Sequence, residues 1–382
     1  MMEKAGLYIH IPFCVQKCLY CDFLSFSGRF HFAKQYADQV CAEIVAKKEW
    51  GTKLEFDTIF IGGGTPSSIP AEYIAQILAK AKSTFPFTES AEISIEVNPG
   101  TVTQDTLIAY KDMGINRISM GIQSTSDRLL RAMGRIHTKK EALDSGVTIA
   151  RYFNNVNFDF ISGIPAIQNE RAQTQAELED DLLFIRAMQV PHVSIYSMII
   201  EPGTPLYALT QEGKAQSCDE DLERTMYHTI RKRLTDAGYV HYEISNFARP
   251  GYMCKHNMKY WQGNPYLGVG LGSASFLPWK NDAYVRSTNV RDFSSYFMQE
   301  NFEPEERITI SLDERRKEYM MLGFRLTAGP DEALYARQFG TLMTKDFKRE
   351  LEQLQQRGLI QENYGLTVKG MDYANEIFRE FV

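Results

Sequence analysis

The sequence predicts an α/β protein, a partial (β/α)6 barrel followed by a small α+β module at the C-terminal end. Three observations carry this. Six short apolar runs alternate with amphipathic stretches between residues 6 and 200. Residues able to bind ligands collect just after those runs, and the composition changes near residue 305. Strands alternating with helices of about 10–15 residues imply right-handed βαβ units and a parallel sheet. In such barrels function gathers at the C-terminal strand ends.

In order, the expected strands are Gly6–Pro12, Asp57–Gly62, Glu92–Val97, Arg117–Ile122, Val156–Ile161 and His192–Met198. Between them, apolar residues recur at helical spacing over Phe32–Lys48, Ala71–Thr84, Lys139–Tyr152 and Ala172–Met188. Six repeats suit a partial barrel better than a full eight-fold one. Beyond the barrel, helices are expected over Leu312–Thr327, Asp331–Phe339 and Lys345–Arg357. A turn at Gly358, a small hairpin through Leu359–Gln361 and Tyr364–Val368, and a last helix Met371–Phe381 complete a winged-helix-like module. The expected division is 1–215 for the barrel, 216–304 for an extension that closes it, and 305–382 for the terminal module.

Composition narrows the function classes. A net charge of −6 and an acidic Glu300–Glu306 stretch oppose a nucleic-acid reader, which needs a basic footprint. No run of about 18 apolar residues is present, so no membrane span is expected. The first strand begins almost at Met1, which leaves no room for a secretory signal. Six cysteines, three of them clustered, suit a reducing, cytoplasmic setting rather than a disulfide framework.

The cluster is Cys14-Val-Gln-Lys-Cys18-Leu-Tyr-Cys21, directly after the first strand. Iron–sulfur cubanes are normally held by four cysteines, so three thiolates on one loop leave one iron open to a further ligand. Zinc with His10 or His31 as fourth ligand is the main rival, but structural zinc ligands usually form two separated knuckles. A dithiol pair Cys18–Cys21 would leave Cys14 surplus. The cluster reading is preferred.

Later strand ends add polar groups. After the second strand comes Gly62-Gly63-Gly64-Thr65-Pro66, which lacks the Gly-Lys-Ser/Thr ending of a P-loop. Such a loop lets backbone approach a ligand and can present N–H groups to an anion, but taken alone a tight strand-to-helix turn is the simpler account. Glu96, Gln123, Arg135 and Asp159 follow at successive strand ends. A carboxylate in an apolar strand costs free energy unless it is paired or faces a polar ligand. Converging at one rim, these four suit a ribose and a carboxylate.

The spacing Cys-x3-Cys-x2-Cys resembles the signature of the radical S-adenosylmethionine (SAM) superfamily. With GGGTP, IEVNPG, RISMGIQS and DFISGIP in order, the chain is similar to the oxygen-independent coproporphyrinogen III oxidase family from about residue 6 to 275. The resemblance implies a [4Fe-4S] cluster on Cys14, Cys18 and Cys21. It also implies SAM held by Tyr8, Gly63, Gly64, Thr65, Glu96, Gln123, Arg135 and Asp159. Two departures oppose the oxidase activity itself. Phe23 stands where the oxidases resemble a fourth cysteine, and only 13 residues precede Cys14.

Residues 254–275 point to the haem-chaperone branch of that family. His256-Asn257-Met-Lys-Tyr260-Trp261 is similar to that branch's HNxxYW mark, as is Tyr242–Phe247 ahead of it. An imidazole can ligate haem iron and the aromatic pair offers flat apolar surface. On the residues alone, an aromatic cluster closing the barrel mouth, with His256 a hydrogen-bonded core residue, is the simpler account. The resemblance instead implies haem bound by His256, Asn257, Tyr260 and Trp261. Cys254 is an outside candidate ligand, and the c-type attachment motif Cys-x-x-Cys-His is absent. Ala274 stands where relatives often carry a histidine.

The expected function is therefore a haem chaperone with a SAM-ligated cluster, delivering haem to an acceptor protein that the sequence does not identify. A membrane protein engaged transiently fits that role; nucleic acid does not. No catalytic residue is assigned. The alternatives are oxidative decarboxylation of coproporphyrinogen III by radical SAM chemistry, or another radical SAM modification of a porphyrin, such as methylation.

Overall fold

The computed structural model describes residues 2–280 and 283–382. A single sheet of twelve strands runs through the larger part of the chain. In chain order these are β1 (Glu3–Ile11), β2 (Leu54–Gly63), β3 (Phe87–Val97), β4 (Arg117–Gln123), β5 (Val156–Ser162) and β6 (His192–Ser197). Then follow β7 (Val240–Glu243), β8 (Asn246–Ala248), β9 (Tyr266–Val269), β10 (Ala274–Pro278), β11 (Tyr284–Thr288) and β12 (Glu306–Ile310).

Strands β1 to β6 lie side by side in sequence order and all parallel. The partial (β/α)6 barrel expected from the alternation is therefore present. Odd-numbered residues of β1 and β2, such as Leu7, Ile9, Ile59 and Ile61, are buried in the main hydrophobic core. The alternate positions, Tyr8, His10, Phe60 and Gly62, share the other face, which encloses the lumen. Side chains one residue apart point to opposite faces, so a single run supplies both an apolar exterior and a polar interior.

Residues beyond the barrel extend the sheet at both edges. Antiparallel β8 and β7 continue past β6. Past β1, parallel β9 is followed by antiparallel β10, β11 and β12.

Local chemistry sets the helix boundaries. Thr138 with Glu141, and Thr174 with Glu177, form capping boxes that start helices at Lys139 and Gln175. The second start corrects the expected Ala172. Sequence periodicity passed over Glu220–Asp236, where only Met226, Ile230 and Leu234 are buried.

The C-terminal module has its own core, with Tyr319, Phe324, Tyr335, Leu354 and Ile377 within it. Its first helix stops at Gly323 rather than Thr327. The expected hairpin reduces to one bridge between Ile360 and Leu366, and the last helix breaks at Tyr373 into Val368–Asp372 and Ala374–Arg379.

Candidate functional site at the barrel mouth

The cysteine loop leaves the C-terminal end of β1. Phe13–Cys14 pairs with Phe26–Ser27, closing the loop at its base. Backbone bonds from Leu19 N to Met133 O (3.0 Å) and from Leu206 N to Leu19 O (2.8 Å) fasten its far side. Cys14 is buried, Cys18 and Cys21 are half-buried, and all three are free thiols. Burial, reinforced by neighbouring Cys18 and Cys14, pushes the Cys21 thiol up to about 11. Iron binding there would displace a proton. Among the described residues, no three His, Cys, Asp or Glu side chains converge tightly enough to hold one metal ion. A cubane takes its sulfurs at separate corners, and three free thiols on one pinned loop are the donor set it needs.

His10 does not complete a zinc set. Its Nδ1 lies 3.0 Å from the Tyr8 hydroxyl and its Nε2 2.8 Å from Leu24 O, so both ring nitrogens are engaged.

A hydrogen-bonded chain joins two of the thiols. Cys14 Sγ lies 3.5 Å from Thr65 Oγ1, which accepts from Asn98 Nδ2 at 2.9 Å. Asn98 Oδ1 accepts from Arg135 Nη2 at 2.9 Å, and Arg135 Nη1 reaches Cys18 Sγ at 3.7 Å. Arg135 also donates to Gly121 O at 2.6 Å. Asn98 was not among the sequence candidates; its place in the Asn-Pro-Gly turn was the only available signal.

The glycine loop turns its backbone N–H groups inward. Gly63 N donates to Glu96 Oε2 (3.0 Å), Gly64 N to Ile11 O (2.8 Å) and Thr65 N to Phe13 O (2.7 Å). With those donors spent internally, acceptors are what the loop can offer, which suits an ammonium group rather than an anion. Gly63 has φ +116°, and a Cβ there would lie 2.4 Å from the His10 ring. A side chain would strain the backbone and displace His10 together.

Burial, then the Asp159 carboxylate, pushes the Glu96 carboxyl up to about 8. Asp159 accepts from Ser119 Oγ (3.0 Å) and Asn157 Nδ2 (2.8 Å), and burial raises its carboxyl also. Gln123 sits at φ +69°, beside the register shift that ends β4. A non-glycine residue in that region is held by its surroundings, and such outliers cluster at ligand sites.

The HNxxYW string lies elsewhere. Its helix, Lys255–Trp261, packs beneath the barrel instead of at the mouth. His256 Nδ1 is 2.8 Å from Thr58 Oγ1, and its Nε2 is 2.9 Å from the Tyr260 hydroxyl. Thr58 pairs in register with Gly6, four residues below the His10–Gly62 pair. That is about 13 Å along the strands. Glu92 accepts from the backbone N–H groups of Lys255 and His256, both at 3.2 Å, and holds the helix start. Lys259 pairs with Asp57 at 2.6 Å. His256 is 1% exposed with both nitrogens engaged. An iron would reach the imidazole by displacing one of these two bonds. Cys254 is fully buried beside Glu92. Tyr260, one turn on along the same helix face, also borders a cavity next to Tyr266, and Trp261 lies under the Arg325 guanidinium at 4.4 Å.

Comparison with known proteins places this geometry. The radical SAM superfamily model matches residues 8–178, and the HemN C-terminal domain model matches residues 310–372. Coproporphyrinogen III oxidase (HemN) from Escherichia coli shares the fold, with a TM-score of 0.82 at 22% identity over 100% of this chain and 90% of that one. Heme chaperone HemW from Synechocystis sp. is 37% identical, covering 86% of this chain and 79% of that protein. Its counterpart from Haemophilus influenzae is 34% identical over 100% and 98% of the two chains. Superfamily membership implies a [4Fe-4S] cluster and SAM, and the mouth supplies three free thiols for the one and a polar rim for the other. On these matches the chain belongs to the heme chaperone HemW family of the radical SAM superfamily.

Proposed function

We propose that the chain is a haem chaperone that binds haem, carries a SAM-ligated [4Fe-4S] cluster and delivers haem to an acceptor protein. The observation that carries this reading is the end-to-end match to relatives named heme chaperone, with Phe23 in place of a sulfur two residues after Cys21. Phe23 is 62% exposed, so the position adds apolar surface beside the loop.

In this reading Cys14, Cys18 and Cys21 would hold the cluster, which would supply an iron site for SAM. Tyr8, Gly63, Gly64, Thr65, Glu96, Gln123, Arg135 and Asp159 line the SAM site. Arg135 and Asn98 keep positive charge and hydrogen bonds beside the sulfurs. His256, Asn257, Tyr260 and Trp261 are the residues assigned to haem; Tyr260 lines a cavity, and all four stand on one helix. The working compartment is the cytoplasm, and the acceptor includes membrane proteins met transiently. Among the described residues no helix is long and apolar enough to cross a membrane.

Anaerobic reconstitution followed by haem titration tests the proposal. A Soret band, and haem passing from the loaded chain to a haem-free acceptor, are the expected results. Conversion of coproporphyrinogen III to protoporphyrinogen with matching SAM cleavage would replace this reading with the oxidase one.

A further inference from the structure

A cavity of about 290 Å³ opens between the sheet extension and the C-terminal module, away from the cysteine loop. Tyr260, Tyr266 and Phe276 line it, and Tyr284 packs on Phe276 from outside the lining. Tyr260 of the HNxxYW string meets Tyr266 edge-on at 4.8 Å, Tyr266 meets Phe276 at 6.1 Å, and Phe276 meets Tyr284 at 4.7 Å. Helix Leu312–Gly323 covers it, contributing Met321 and Glu318.

Two arginines lie over the rings. The Arg286 guanidinium stands 5.2 Å from the Phe276 centroid, and Arg315 stands 3.7 Å from that of Tyr284. Arg286 is held by Glu318 through two bonds of 3.0 and 2.9 Å. On the opposite wall Gln338 donates to Gln262 O at 3.0 Å, while its buried Oε1 has no partner. An unpaired buried acceptor marks a place where a donor or water belongs.

Aromatic side chains, a flexible thioether and guanidinium groups together suit an aromatic ring that carries carboxylates. The geometry points to this cavity as the seat of a tetrapyrrole dicarboxylate, its ring against Tyr260, Tyr266 and Phe276 and a carboxylate drawn to Arg286. The inference rests on the haem-chaperone reading and names where that cargo sits. The volume lies at the lower end of small-molecule pockets, so part of the macrocycle stays outside, as cargo meant for release requires. Among the described residues no imidazole lines the cavity, and the recognition inferred acts on the ring and its carboxylates. Glu318 opposes the incoming carboxylate by occupying Arg286.

The test is titration of the full chain with haemin and with metal-free protoporphyrin IX, followed by absorbance and fluorescence. The two ligands should bind within about threefold of each other. Met321→Trp, which fills the cavity, and Arg286→Gln should each weaken both at least about tenfold, with circular dichroism and iron content unchanged. Glu318→Gln frees the guanidinium and should tighten both about threefold. Wild-type binding with none of these variants altering it would overturn the site while leaving the chaperone reading intact. Failure of the wild-type chain to bind either ligand would overturn both. If Met321→Trp does not fold, Glu318→Gln decides: tightening supports the site, and an unchanged affinity refutes it.

Discussion

Replacing Asn98 with alanine cuts the side chain that bridges the two halves of the cysteine network. It removes the 2.9 Å bond to Thr65 Oγ1 and the 2.9 Å bond from Arg135 Nη2. The first is neutral, worth about 0.5–1.5 kcal/mol, and the second involves a cation, worth about 1.5–3 kcal/mol. Their sum, about 2–4.5 kcal/mol, is an upper bound, because Arg135 keeps Gly121 O at 2.6 Å and Thr65 keeps its backbone bond to Phe13 O. Even half of that corresponds to about fivefold to fortyfold in an equilibrium constant. After anaerobic reconstitution, Asn98→Ala should bind SAM at least about fivefold more weakly by calorimetry. Asn98→Asp, which keeps an acceptor for Arg135, should recover part of the loss. Equal SAM affinity and equal iron content in wild type and Asn98→Ala would refute the idea that this chain of bonds organises the site.

Three further outcomes are expected. Cys14→Ser, Cys18→Ser and Cys21→Ser should each abolish the cluster, since a hydroxyl is a poor substitute for a thiolate; iron analysis near four per chain after any of them would contradict the assignment. His256→Ala should cost about 2–4 kcal/mol of stability in denaturant titration, through lost packing and two lost bonds, yet leave the haem axial-ligand signature unchanged. A changed signature would identify His256 as a ligand. Glu96 keeps its proton in the folded chain up to about pH 8 but loses it near the ordinary carboxyl range when unfolded. The native state then binds more protons, so stability falls as pH rises from about 4.5 through 8. Allowing for partial solvent contact, about 1–2 kcal/mol should disappear between pH 6 and 8. Glu96→Gln should flatten that slope, and a slope equal to wild type would refute the raised carboxyl.

The sequence by itself determined the six parallel strands, since period-two alternation between helical stretches admits few other arrangements, and their ends at Ile11, Gly63, Val97 and Gln123 lie within one residue of expectation. It also determined the donor set, because three cysteines within eight residues stay on one loop in any fold. Only tertiary structure decided what each polar residue meets. His256 and Tyr260 are adjacent turns of one helix, yet one is buried against Thr58 in the barrel floor and the other faces a cavity roofed by residues from 318 onward. Asn98 acquires its role from Thr65 and Arg135, each more than thirty positions away in the chain. The glycine loop spends its N–H groups on Glu96 and the β1 end rather than on an anion. Periodicity reports which face of an element is buried; which partner waits on that face depends on long-range packing, and no local pattern encodes it.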